Sequence, residues 1–175
     1  TRATLLAAVA GHLLGTLRDA LRPRVAGVAP ADEAQARRLC AAIFDRALSP
    51  VSVALYPELW SIANRYAEVA EALREVHAAG VTALLETMGH DPDDPATGPL
   101  RDTLRIVTAI ANGLTAMHGH RAPDDPIRVA IVAASIDLLA PRIAEVSRRA
   151  VARSEEHTSE LQSHLNLVCR LLLEK

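Results

Sequence analysis

The chain has 175 residues, of which 50% are hydrophobic and 23% are charged, and its formal net charge is −2. This length suits one ordinary domain, and a net charge near zero argues against a basic surface for nucleic acid. The two cysteines, Cys40 and Cys169, are too few for a disulfide framework, and no apolar run reaches the roughly 20 residues of a spanning helix, so we expect a cytoplasmic domain without membrane contact.

Apolar residues recur at helical spacing along most of the chain, and no window alternates with the two-residue period of a strand. The pattern therefore predicts an all-α fold, an antiparallel bundle of about six helices. The approximate ranges of these helices are 2–21, 32–48, 51–64, 66–88, 100–118 and from 126 onward. We expect Pro23 to stop the first helix, Asp32 to cap the second, and Pro57 to kink or break the third.

The sixth predicted helix carries two apolar stripes on nearly opposite sides. One stripe holds Ile127, Ile131, Ala134 and Leu138, and the other holds Val129, Val132, Ile136, Leu139 and Ile143. A surface helix needs only one apolar stripe, so we expect this helix to be covered on both sides. Either it is the central helix of a monomeric bundle, or one stripe packs on its own protomer and the other on a second copy.

In a homodimer, the last two helices of each protomer would form a four-helix bundle across a two-fold axis. The fifth predicted helix offers a matching apolar surface with small residues that permit close approach. The predicted interface residues are Leu104, Val107, Ala111 and Leu114 on the fifth helix, and Ile127, Ile131, Ala134 and Leu138 on the sixth.

Residues 153–175 differ in composition from everything before them. All alanines, glycines and prolines lie in residues 1–152, and the single lysine is Lys175. The segment 153–164, RSEEHTSELQSH, matches residue for residue the translation of a common sequencing adapter. We therefore expect residues 1–152 to form the domain and residues 153–175 to be a non-native tail outside it. The alternative is a native Ser/Glu-rich tail that ends in a small amphipathic helix.

Three parts of the domain carry a distinctive order of residues. They are 55–65 (LYPELWSIANR) followed by 67–74 (AEVAEALR), 106–115 (IVTAIANGLT), and 1–5 (TRATL). The first resembles the central helices of tetracycline-repressor-like (TetR family) transcription regulators, and the second resembles their penultimate helix, which lies at the dimer interface. The third is similar to the start of the helix that follows their DNA-reading helix. The resemblance covers roughly the whole domain and implies the ligand-binding and dimerisation part of a homodimeric repressor.

Members of this family carry a helix-turn-helix before the position that matches Thr1, and the sequence contains no such segment. The resemblance therefore implies that operator DNA is bound only through a missing N-terminal domain, and that this chain does not bind an operator. It also implies that a small effector binds between the central helices and tilts the first helix. That shift would release the full-length repressor from DNA.

All aromatic residues lie within residues 44–66. Ligand pockets are mostly apolar with a few polar groups. The candidate lining for a small, fairly apolar effector is therefore Phe44, Tyr56, Trp60, Asn64 and Asn112. The alternative for each aromatic residue is ordinary core packing, above all for Trp60. Asn112 lies in an apolar run and needs a polar partner, which is a ligand, a helix-capping neighbour or a second copy.

A different function, a helical-bundle enzyme or metal-binding protein, would use His118 and His120 with a nearby acid. Closed metal sites usually have four ligands at tighter spacing, and helical residues two apart do not face each other. The sequence contains no nucleophile elbow, phosphate-binding loop or metalloprotease motif. We therefore expect no enzymatic activity, no metal and no cofactor.

Overall fold

The computed structural model describes residues 32–173 continuously, with side chains as far as residue 153, and scattered positions between 4 and 23. Residues 32–173 are helical apart from short connections and contain no strand. The helices are α1 (Glu33–Ala47), α2 (Pro50–Ala63), α3 (Ala67–Thr87), α4 (Gly98–His118) and α5 (Pro126–Leu173), with a 3₁₀ helix (Pro95–Thr97) before α4. The all-α prediction is confirmed for this part of the chain.

The first predicted helix, 2–21, falls largely outside the described residues. The positions that are described between 4 and 23 have helical backbone, and Pro23 is one of them. Residues 24–31 lie outside the described part of the chain, so the expected stop at Pro23 stays a prediction.

Local sequence signals set the ends of α1 and α2. The carboxylate of Asp32 accepts a hydrogen bond of 2.7 Å from the amide of Gln35, as expected for an N-cap. Ser49 caps α2 in the same way, and Pro50 occupies the first turn, where its missing N–H costs nothing. The predicted break at Pro57 is absent, since α2 runs through this exposed residue without interruption.

The main core lies where α1, α4 and α5 pack together, with the second half of α3 added at one side. Phe44 is the largest fully buried side chain, and Leu39 and Leu104 are buried almost as completely. A second, smaller cluster joins α2 to the first half of α3 through Leu59 and Leu73. The α2–α3 pair therefore rests on the bundle beside α1 and α4, and the cavity described below lies between these four helices.

The structure corrects the predicted interface on the fifth helix. The four residues concerned are at most 5% exposed and belong to the main core of the protomer: Leu104, Val107, Ala111 and Leu114. A second copy has no access to them, because α4 turns this stripe inward. The exposed side of α4 instead carries Ile106, which is 54% exposed, and Met117, which is 68% exposed.

The two stripes of the sixth predicted helix separate only in part. Leu139 and Ile143 on α5 are buried in the main core, whereas Val129 of the same stripe is 52% exposed. On the opposite stripe, Ile127 is 50% and Leu138 is 72% exposed. Ala134 is exposed too, and Ile131 is partly buried. Within the described residues, α5 thus packs on its own protomer mainly through Leu139 and Ile143, and Ile127, Ala134 and Leu138 lie at the surface.

Helix α5 continues from Pro126 to Leu173 and so crosses the expected domain boundary at residue 152. An amphipathic pattern permits a helix whatever the origin of the segment, so the division into domain and tail stays a prediction. In the part of the chain that is described, no single helix has the length and apolar character to cross a membrane. The pair α1 and α2, bent by 70° at their junction, meets both conditions only when taken together.

Candidate functional site

A cavity of about 70 Å³ lies between α1, α2, α3 and α4. Most of its wall is apolar, with Ile43, Val76 and Leu84 among the lining side chains. Its polar lining consists of Arg46, Ser52, Tyr56, His77, Thr108 and Asn112. An apolar wall with a few polar groups is typical of small-molecule sites.

A wider cleft of about 390 Å³ adjoins the cavity and is open to solvent. Trp60, Arg74 and Arg105 are among the residues that line this cleft. Three side chains line both the cavity and the cleft: His77, Thr108 and Asn112. These three therefore form the wall between the two spaces.

His77 is the best-anchored member of this wall. Its Nδ1 lies 2.7 Å from the carbonyl oxygen of Leu73, and a carbonyl only accepts, so Nδ1 carries the proton and donates it. Its Nε2 then accepts a hydrogen bond of 3.0 Å from the side-chain amide of Asn112. Both ring nitrogens are thus used, which holds the imidazole in one orientation.

Two aromatic rings hold the same imidazole from the side of α2. The Trp60 ring stacks on it with 5.6 Å between ring centroids, and the Tyr56 ring is tilted against it at 6.4 Å. Such aromatic contacts prefer offset or tilted geometries of this kind. Contacts from α2 and α4 therefore meet on one side chain of α3, and a change at His77 affects all three helices.

Arg46 contributes a positive charge to the cavity lining. The hydrogen bond of its guanidinium goes from Nη1 to Oγ of Ser49 at 3.3 Å. Burial raises the pKa of Tyr56, and the nearby charge of Arg46 offsets this only in part. Tyr56 therefore stays protonated at neutral pH and offers a hydroxyl donor in the same cavity lining.

The structure brings three of the five predicted ligand residues to this region. Tyr56 and Asn112 line the cavity, and Trp60, which is 40% exposed, lines the cleft. Phe44 does not, because it points into the main core, about 100° around α1 from its neighbour Ile43, which lines the cavity. Asn64 does not either, since it is the exposed C-cap residue of α2. Whether the remaining three bind a ligand stays a prediction.

Sequence reasoning missed His77 and Arg46. A signal for His77 was present, because it follows Leu73 by four residues and precedes Val81 by four, which places a polar side chain on the buried stripe of its helix. Arg46 gave no such signal, since an arginine in the last turn of a helix is usually explained by the helix dipole. The polar partner that Asn112 required is His77, an option that the sequence analysis did not include.

The alternative site at His118 and His120 gains no support from the geometry. His118 ends α4 and is partly buried, and its Nδ1 is buried without a hydrogen-bond partner, whereas His120 is exposed. Among the described residues, no group of three or more His, Cys, Asp or Glu side chains is placed to hold a metal ion.

Comparison with known proteins gives no match for this chain, whether with family models, with curated proteins or with solved structures.

Proposed function

We propose that this chain is the effector-binding and dimerising part of a TetR-type transcription regulator, a repressor that a small molecule releases from DNA. The observation that carries the proposal is the mixed apolar and polar cavity between α1, α2, α3 and α4. The segments that resemble the family border this cavity. Residues 55–65 contribute Tyr56, and 106–115 contribute Thr108 and Asn112.

The position of the cavity supports a role in signalling. A ligand seated there would touch four helices at once, from Ile43 on α1 to Asn112 on α4. A molecule that binds one arrangement of these helices better than another shifts the population towards that arrangement. In the proposed regulator this shift is passed to a DNA-binding domain outside this chain, through which alone operator DNA is contacted.

The proposed homodimer uses an apolar surface on the last two helices, which we name the α4–α5 face. It consists of Ile106 and Met117 on α4 and Ile127, Ala134 and Leu138 on α5, all of them exposed. A contiguous apolar patch on a protein surface marks an interaction site, and in the proposed dimer these residues form one. Two copies that meet through this face around a two-fold axis would form a four-helix bundle.

Two measurements test the proposal. The gene upstream of the codon for Thr1 should encode a helix-turn-helix, and a different kind of domain there would overturn the assignment. Thermal unfolding of the chain with a panel of small, mainly apolar molecules should give increases in melting temperature that depend on ligand concentration. These increases should be smaller in an Asn112→Ala variant, since this change alters the cavity wall.

A further inference from the structure

The charge of the cavity lining is positive only. Arg46 is part of that lining, and no Asp or Glu contributes to it. The adjoining cleft adds Arg74 and Arg105 and again no acidic residue. The cavity lining therefore carries a positive charge that attracts an anion.

Arg46 differs from the two cleft arginines in its partners. Arg74 pairs with Glu71, and Arg105 pairs with Asp102 at 3.0 Å. Arg46 has no acidic partner within ion-pair distance among the described residues. Charged groups that are partly withdrawn from water are normally paired, so Arg46 has unused capacity for an anion.

We propose that the cavity binds a small monocarboxylate, whose charged end is held by Arg46 and the Tyr56 hydroxyl. The inference rests on the proposed function, because it names the chemical class of the effector. The flat guanidinium fork suits a carboxylate, which can accept two parallel hydrogen bonds from it. Tyr56 keeps its proton at neutral pH and so donates to the same group.

The rest of the lining favours an apolar body on this acid. The side chains of Ile43, Val76 and Leu84 form a hydrocarbon surface. A second charged group on the ligand would lose its hydration there without gaining a partner, which is unfavourable. The cavity has a volume of about 70 Å³, and about 10–15 Å³ of such space holds one water-sized group. This space suits a short aliphatic chain, and a longer chain has to displace Asn112 in order to extend into the cleft.

The test compares butyrate with butyramide, a neutral molecule of nearly the same shape. Both are titrated calorimetrically into the full chain at pH 7 and constant sodium concentration. Butyrate should bind, and butyramide should bind at least about 10-fold more weakly, because it lacks the charge that strengthens a hydrogen bond to arginine. Arg46→Gln should reduce butyrate binding to the level of butyramide.

Two further variants make the result specific. Arg38→Gln is the matched control, since Arg38 lies on the same helix but is exposed and lines neither space, and it should bind butyrate like the unaltered chain. Tyr56→Phe removes only the hydroxyl and should weaken butyrate binding several-fold. It also provides a variant that keeps the packing if the change at Arg46 disturbs the end of α1.

Butyramide binding as tight as that of butyrate, or full butyrate binding by Arg46→Gln, would overturn the carboxylate assignment and leave a small-molecule site in place. Binding of neither compound would overturn the inference as well. In that case the regulator proposal is judged separately, by the helix-turn-helix upstream of Thr1 and by the mass of the chain in solution.

Discussion

Leu138 offers the most direct test of the proposed dimer. In the protomer 72% of this side chain is exposed on the α4–α5 face, so Leu138→Ala removes apolar surface that a second copy would cover. Full burial of a leucine contributes about 1.5–3 kcal/mol, and the exposed fraction of Leu138 accounts for about 1.5 kcal/mol of this. In a two-fold dimer the residue occurs twice, so we expect the free energy of dimerisation to fall by about 3 kcal/mol. The dissociation constant should therefore rise about 100-fold.

Sedimentation equilibrium over a range of protein concentrations measures this change. Val51→Ala is the control, because Val51 is 57% exposed at the start of α2, outside the α4–α5 face. Both variants should keep the circular dichroism and the unfolding free energy of the unaltered protomer. A chain that stays monomeric at every concentration, or equal dissociation constants for Leu138→Ala and the unaltered chain, would refute the proposed interface.

Three further predictions concern stability, each measured by denaturant unfolding. Gly119→Ala should lower the unfolding free energy by about 1–3 kcal/mol, because an added Cβ would lie 2.7 Å from a methyl carbon of α2; Gly98→Ala meets nothing within 4 Å and should have no such cost. Asn112→Leu should cost about 1–2 kcal/mol, since Nε2 of His77 loses its donor, and His77→Leu in the same chain should recover part of it; strictly additive losses would contradict this coupling. Burial lowers the pKa of His90 in the folded protein, so below about pH 6.5 the unfolded chain binds a proton that the folded chain does not. The free energy of unfolding should therefore have its full value above about pH 6.5 and decrease as the pH falls below this value. His90→Gln should weaken that dependence, and an unchanged pH profile would show that other groups cause it.

Local signals were the most reliable guide to the fold. Asp32 marks the start of α1 through a contact within one turn, and the structure places the start of the helix there. The burial of Leu139 and Ile143 on α5 also follows the predicted stripe, because an apolar period of 3.6 residues defines the sides of a helix without knowledge of its neighbours. Val129 of the same stripe is exposed, which the period alone does not show.

The candidate site was predicted less completely, because its geometry depends on how helices face each other. Phe44 and Ile43 are adjacent in sequence and both belong to the main core, yet only Ile43 also lines the cavity. Nothing in the local pattern distinguishes them, since their directions differ by about 100° and either can face a neighbouring helix. The same holds for Leu104 and Leu114, whose stripe suits a dimer interface as well as a core.

By itself, then, the sequence determined the helical class of the chain, the start of α1, and the stripe of α5 that holds Leu139 and Ile143. The tertiary structure decided which side faces inward, and it joined His77 of α3 to Asn112 of α4 across 35 positions of sequence. The reason is physical. Helix formation depends on hydrogen bonds and caps between residues a few positions apart. A cavity wall or a buried face exists only after distant helices have packed together.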